Sequence, residues 1–346
     1  MLWLALPLMA EKPASAKGTI PEYGKWKTFT TKDGLPANKI YCVKADGDRV
    51  WIGTSHGLVL YENDKFRTFT TEDGLAHLGV LSIDVSKLTG DVWISTLAGL
   101  NRYSGGVFET FTQFNSGLPN DVIYTVICDG KDVWCATGGG AGHYDTYTNE
   151  WEIFTERNAP MHEPWTYSVC AGGNKVFIAA WGGGIIEWQK DKRTFRDYVD
   201  PDGEMEIDLF PDDGLVHDIT TAVSYANGIL WAATYFGLSR YDGTSWKGYF
   251  DHDSGLASNF INYVRAKDDV VWLCTDEGLS SFNNKEWVTY KRSGKSGQRV
   301  YWKDGKSSVK TDPDGIAHEF TIGVDFQDEH IWVATSYGLS RGTRIN

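Results

Sequence analysis

Four of the eight histidines, His77, His162, His217 and His318, fall at one place in an internal repeat, just ahead of the first strand of a repeat unit. Neutral imidazole nitrogens suit iron, copper, zinc and nickel, so four of them converging on one point predict a transition-metal centre. Iron is the first expectation, with copper and zinc behind it. Three of the histidines are followed directly by an acid, as His162-Glu163, His217-Asp218 and His318-Glu319. Those carboxylates are expected to orient the imidazoles or to add a ligand. A plainer reading stands beside this one, in which histidine replaces serine or asparagine as a turn and channel residue. Haem attachment is not indicated, because Cys-x-x-Cys-His is absent. Neither His162-Glu163 nor His318-Glu319 has a second histidine four residues after the first, so the helical zinc-protease motif is not met.

The elements that position these residues come from the repeat. Val50-Trp51-Ile52-Gly53-Thr54, followed by Gly57-Leu58 and Tyr61, returns as Val92-Trp93-Ile94-Ser95-Thr96, followed by Gly99-Leu100 and Tyr103. The aromatic anchors recur at 51, 93, 134, 177, 231, 272 and 332, giving intervals of 42, 41, 43, 54, 41 and 60 residues. Seven copies at this period predict a seven-bladed β-propeller built from four-stranded blades. Short apolar or alternating runs broken by Gly, Asn and Asp read as strands, and no amphipathic helix stands out. In the first blade, strand a is expected over 40–43, b over 49–54, c over 57–61 and d over 66–70, with Asp46-Gly47 as the a-to-b turn. The last copy ends after its strand c. Lys25-Trp26-Lys27-Thr28-Phe29 reads as a strand d with no blade before it, so it is expected to complete the last blade and close the ring.

Composition agrees with one all-β domain over 17–346. A propeller grows by adding blades, so 346 residues need no second core, and an aromatic share of 14% suits packing between blades. The formal charge of −13 argues against a nucleic-acid or anionic-membrane surface. Residues 1–16 read as a secretory signal peptide, with an apolar core over 2–10 and Ala14-Ser15-Ala16 as the cleavage site, although a basic leader is missing. A periplasmic or secreted location is therefore expected, with no membrane span in the mature region. Cys42, Cys128, Cys135, Cys170 and Cys274 read as small packing residues on inner strands, and Cys128 with Cys170 allows one disulfide.

The units Trp51-Ile52-Gly53-Thr54 to Gly57-Leu58, the aromatic residue closing strand c, and Gly34-Leu35-Pro36-Ala37-Asn38 resemble two-component regulator propeller repeats. The resemblance covers nearly the whole chain after the leader. It implies the extracytoplasmic sensor of a histidine kinase, recognising oligosaccharides or other nutrients. With no kinase and no span in the sequence, a sensor role calls for a separate signalling partner.

The chain departs from that pattern between strand d and the next strand a. Blades 1, 3 and 6 keep small or polar residues, Ala37-Asn38, Asn120-Asp121 and Ser258-Asn259, whereas blades 2, 4, 5 and 7 place the four histidines there. The d-to-a connections open on one face of the disc, around the channel mouth, and the b-to-c loops open on the same face. Those loops carry Trp181, Tyr235, Phe236 and Tyr337, and Trp165 follows His162 closely. Together they predict an aromatic wall for an apolar, aromatic or sugar-like ligand. Two insertions enlarge this face, and they are expected either to act as lids over the channel mouth or to be solvated loops. An acidic one holds Asp200, Asp202, Glu204, Glu206 and Asp208, and a basic one holds Arg292, Lys295, Arg299, Lys303, Lys306 and Lys310.

Two functions follow. One is a metal-dependent oxygenase or lyase acting on an organic substrate. By arrangement it is similar to the carotenoid cleavage oxygenases, which hold iron with four histidines on a seven-bladed propeller, although none of their sequence motifs is present. Propeller lyases that use a metal are an equal comparison. The other is a non-catalytic ligand-binding or sensory propeller that recognises a glycan or nutrient.

Overall fold

The ring is assembled from seven antiparallel sheets, six of four strands and one of six. The computed structural model describes residues 18–201 and 213–346. The expected leader over 1–16 and the acids Asp202, Glu204, Glu206 and Asp208 lie outside the described residues. The inner strands a of blades 1 to 7 are Ile40–Asp46, Val80–Val85, Ile123–Asp129, Thr166–Gly172, Thr220–Ala226, Ile261–Lys267 and Thr321–Gln327. Strands b, c and d follow outward in each blade, as the sequence period predicts.

The repeated Thr and Gly-Leu have a shared physical role. Thr54, Thr96, Thr137, Thr234, Thr275 and Thr335 end strand b, and each hydroxyl donates to the carbonyl of the glycine three residues on, at 2.7 to 2.9 Å. Those glycines take the left-handed backbone region, as at Gly57 with φ 126°. A Cβ at Gly57 would lie 2.6 Å from the Phe69 carbonyl oxygen. Blade 4 ends its strand b with Ala180 instead, and the N–H groups of Gly182 and Gly184 hold the Asp218 carbonyl at 3.2 and 3.1 Å. The b-to-c loop carrying Trp181 is thus tied to blade 5.

The strand b tryptophan welds each blade to the next. Trp51 packs on Phe69 of its own blade and on Tyr103 of the following one, at 6.1 and 5.6 Å between ring centroids. Trp93 repeats this with Phe111 and Tyr144. At the seam, Trp332 of blade 7 meets Phe29 at 5.8 Å and Tyr61 of blade 1 at 5.2 Å. Phe29 belongs to the N-terminal strand Tyr23–Phe29, which pairs antiparallel with Gly338–Arg344, so the ring closes as expected.

Side chains also sew each inner strand to its neighbour. Asp84 accepts from the Cys128 N–H (2.7 Å) and Thr125 donates to the Tyr167 carbonyl (2.8 Å). Ser168 accepts from the Val223 N–H (3.1 Å) and Ser224 from the Ala266 N–H (2.9 Å). Asn262 donates to the Thr321 carbonyl (3.0 Å), and Asp325 accepts from the Ala45 N–H (2.9 Å).

The basic insertion is not a lid over the channel. It forms strands Ser296–Lys303 and Lys306–Asp312, which extend the sheet of blade 6 outward from Glu286–Ser293. Arg299 is buried there, bound to Asp312 at 2.7 and 2.8 Å and paired with Glu22. The Tyr301 hydroxyl also donates to Glu22, at 2.6 Å. The hairpin therefore clasps the N-terminal strand from the outside. A charged pair at such a distance in sequence is invisible to local pattern.

All five cysteines are free, so the Cys128–Cys170 disulfide does not form. Burial pushes the Cys42 thiol up to about 12 and raises the other four as well. Thiolate is the reactive form, so a thiol-specific reagent at pH 8 should react with essentially none of them in the folded protein. After denaturation all five should titrate. Finding about three would reveal a disulfide and contradict this arrangement.

Candidate functional site

The histidines serve the loops and not the channel. In His77, His217 and His318 the ring Nδ1 accepts from the N–H two residues on, that of Gly79, Ile219 and Phe320, at 2.8, 2.9 and 3.0 Å. Asn120 does the same toward the Val122 N–H at 2.9 Å, and Ser258 toward that of Phe260 at 3.1 Å. Imidazole is here a substitute for the short polar residue of an Asx-type turn.

His162 is not in register with the others. The carbonyls of Asn38, Leu78, Asp121, Pro164 and Asp218 accept equivalent bonds from Gly338, Gly57, Gly99, Gly140 and Gly184. The residue before Pro164 is Glu163, so Glu163 stands where His77 and His217 do. His162 is exposed, with Nε2 3.3 Å from Asp197.

The neighbouring acids do not orient the rings either. Glu319 accepts from the Arg292 N–H at 3.2 Å, and Asp218 accepts from the Asp200 N–H at 2.7 Å. Burial, partly offset by that N–H bond, holds the Asp218 carboxyl above its usual range. None of the four histidines lines the channel. Among the described residues no group of three or more His, Cys, Asp and Glu side chains is placed to hold a metal ion. With Nδ1 committed in three rings and the fourth out of register, these residues do not fit a four-histidine metal centre.

His217 is the one deeply buried histidine, 3% exposed and stacked on Phe236 at 4.0 Å. Its Nε2 has no hydrogen-bond partner among the described residues. Burial lowers its pKa, and Asp218 opposes this only in part. The unfolded chain therefore takes up the proton first. The stability that His217 contributes is present above its unfolded pKa of about 6.5 and is lost as pH falls below it, at up to about 1.4 kcal/mol per pH unit. Thermal unfolding is expected to show a falling midpoint from pH 7.5 to 5, with a shallower fall in His217→Asn, which keeps the turn acceptor. Parallel pH profiles for the two proteins would contradict this.

What lines the channel is a set of bulged residues. The ladder between strands a and b slips after its first pair in every blade, as between Ile40–Thr54 and Cys42–Gly53. The residues left over are Tyr41, Leu81, Tyr124, Tyr167, Thr221, Asn262 and Ile322, and all seven face a channel of about 670 Å³. A bulge re-aims the side chain it carries, which is how strand residues come to point along the axis at the mouth.

Tyr124, Tyr167 and Tyr235 line that channel, and Trp165, Trp181 and Phe260 pack against them to make one chain of six rings across blades 3 to 6. Tyr124 and Tyr167 stack at 4.4 Å, and Trp165 lies 5.9 Å from Tyr167. Tyr167 meets Trp181 at 5.0 Å, Trp181 meets Tyr235 at 5.1 Å, and Tyr235 meets Phe260 at 5.2 Å. Trp165 and Phe260 are 45% and 50% exposed at the rim. Burial, then the neighbouring Tyr124, pushes Tyr167 up to about 12, so its hydroxyl stays a donor.

Of the five aromatic residues expected at the site, the structure gathers Trp165, Trp181 and Tyr235 into this wall. Phe236 is turned away onto His217, and Tyr337 stands apart, 59% exposed on its own loop. Tyr124, Tyr167 and Phe260 escaped sequence reading. The signal that would have found them is the aromatic residue just before or just after the first residue of strand a.

No protein-family model and no curated protein matches the sequence. Among solved structures, the extracellular domain of the hybrid two-component system protein BT3049 from B. thetaiotaomicron matches with a TM-score of 0.71 and 15% identity, over 92% of this chain and 41% of that one. The extracellular domain of BT4673 from the same organism matches with a TM-score of 0.57 and 18% identity, over 89% and 46%. This chain thus spans less than half the length of those domains. Virginiamycin B lyase from Staphylococcus aureus matches with a TM-score of 0.66 and 13% identity, over 94% of this chain and 100% of the lyase. A catalytically inactive histidine-to-alanine variant of that lyase is known in complex with quinupristin. At these identities the likeness fixes the fold, a seven-bladed β-propeller of the kind found in extracellular domains of two-component system proteins.

Proposed function

We propose that this chain is an extracytoplasmic ligand-binding propeller that takes a ring-bearing small molecule, a glycan or other nutrient, at the aromatic mouth of its channel, and reports it to a signalling partner. The observation that carries this reading is the continuous wall from Tyr124 and Trp165 through Tyr167, Trp181 and Tyr235 to Phe260. Flat faces of this kind stack on sugar or aromatic rings, and tyrosine hydroxyls at their edges supply directional hydrogen bonds. The extracellular domains that share the fold support the location. Binding is the reading that the extracellular domains of two-component system proteins sharing the fold support.

Trp165 and Trp181 make the site its own reporter. Titration of the intrinsic fluorescence with a panel of mono- and disaccharides and simple phenols should give a saturable change for at least one ring-bearing compound. A flat response to the whole panel, in a folded protein, would contradict the reading.

A further inference from the structure

We propose that the ligand taken at the aromatic mouth carries a carboxylate, which seats on the channel floor between Lys44 and Arg265. This inference rests on the binding reading above. Three residues below the bulged ring, the inner strands place Arg265, Asp325, Lys44 and Asp84 side by side in blades 6, 7, 1 and 2, with alternating charge. At about 3.3 Å per residue the drop from ring to floor is roughly 10 Å. A two-ring sugar or a phenylpropenoate is long enough to touch both.

The donors and acceptors on this floor are unequal. Asp84 accepts from the N–H groups of Val85 (2.9 Å) and Cys128 (2.7 Å) and from Lys44 (2.5 Å). Asp325 accepts from the N–H groups of Phe326 (2.7 Å) and Ala45 (2.9 Å) and from Arg265 (2.9 Å). Both oxygens of each carboxylate are therefore engaged, largely in holding neighbouring blades together.

The cations are far from saturated. An ammonium has three N–H bonds and a guanidinium five. Lys44 spends its charge on Asp84, and Arg265 is shared between Asp325 and the Tyr263 hydroxyl. The other residues at this level are Ile127, Cys170 and Ser224, whose hydroxyl already accepts from the Ala266 N–H. The floor thus has donors to spare and few acceptors. A sugar hydroxyl or an amide asks for both, whereas a carboxylate only accepts and can take the N–H groups of Lys44 and Arg265 that Asp84 and Asp325 leave unspent.

The test compares each acid with its own methyl ester, which keeps the ring and removes the charge. Fluorescence titrations at pH 7 use digalacturonate with its dimethyl ester and 4-hydroxycinnamate with its methyl ester. The expected result is about tenfold or greater preference for the acid in at least one pair, and the pair that shows it distinguishes a uronic acid from an aryl carboxylate. Lys44→Met and, as a second variant, Arg265→Gln should each reduce that preference to within about threefold while leaving ester affinity in place. The acid-ester comparison on the unaltered protein needs neither variant to fold. Esters that bind as tightly as their acids would overturn the carboxylate and leave the binding reading intact. Failure of all four probes, with no other ring compound binding, would overturn both.

Discussion

Replacing Trp332 with alanine is expected to lower stability by about 3 to 5 kcal/mol, the range for removing a fully buried aromatic side chain. Its ring is buried between Phe29 of the N-terminal strand and Tyr61 of blade 1. The substitution therefore strikes the seam, where the two ends of the chain meet. The break in the chain falls inside blade 7, between Tyr23–Phe29 and Gly338–Arg344, whereas each other blade is continuous chain, so a cavity there leaves its strands tethered. At the seam the pairing of Tyr23–Phe29 with Gly338–Arg344, the Glu22 contacts and this aromatic stack hold the ring shut, with the Ala45 N–H bond to Asp325 and the Gly338 N–H bond to the Asn38 carbonyl beside them. Urea unfolding should show a large fall in midpoint for Trp332→Ala, and Phe29→Ala should follow it. A loss below about 1 kcal/mol would mean that the seam is not a principal weld.

Trp181→Ala is expected to weaken ligand binding by roughly 10- to 100-fold, as for an aromatic anchor at the centre of a recognition surface. Trp181 joins the Tyr167 side of the wall to Tyr235, so its loss divides the platform in two. It is only half-buried and lies on a loop, and its backbone N–H bond to the Trp165 carbonyl at 2.8 Å does not depend on the side chain. Stability should therefore change little while affinity falls. The check is a titration of Trp181→Ala followed by the remaining Trp165 emission or by calorimetry. An affinity within about twofold of the unaltered protein would remove Trp181 from the site.

The architecture was legible because its signature residues have one job in six of the seven blades, with Phe177 and Ala180 standing in for tryptophan and threonine in blade 4. The strand b tryptophan, the threonine that ends that strand and the glycine three residues later are each fixed by packing or backbone geometry, so they recur and can be counted. The seam could be read as well, since Trp26 and Phe29 repeat the strand d pattern with no blade before them.

The site was legible only where it sat on predicted loops. Trp181 and Tyr235 follow directly on the strand b signature, so their face was known. Tyr124 and Tyr167 sit inside strand a, where simple alternation misassigns a residue at a bulge. The histidines misled for a different reason. An imidazole Nδ1 can close the same turn as an asparagine oxygen, and sequence does not tell that use from metal ligation. In blade 4 the missing Gly-Leu also hid a one-residue slip, which puts Glu163 and not His162 at the shared position. Sequence shows the basic hairpin but not what it is anchored to, because Glu22 lies 277 residues from Arg299.

One titration series separates the aromatic mouth from the histidines as the seat of recognition. The ring-bearing ligand that binds the unaltered protein is titrated into Trp181→Ala and into a triple variant with His77, His217 and His318 each changed to Asn. Asparagine closes the same turn at position 120, so the triple variant should keep its loops. Near-normal affinity is expected in the triple variant, with a loss of tenfold or more in Trp181→Ala. Binding that survives in Trp181→Ala and disappears with the histidines would contradict this and return the imidazoles to the centre of the function.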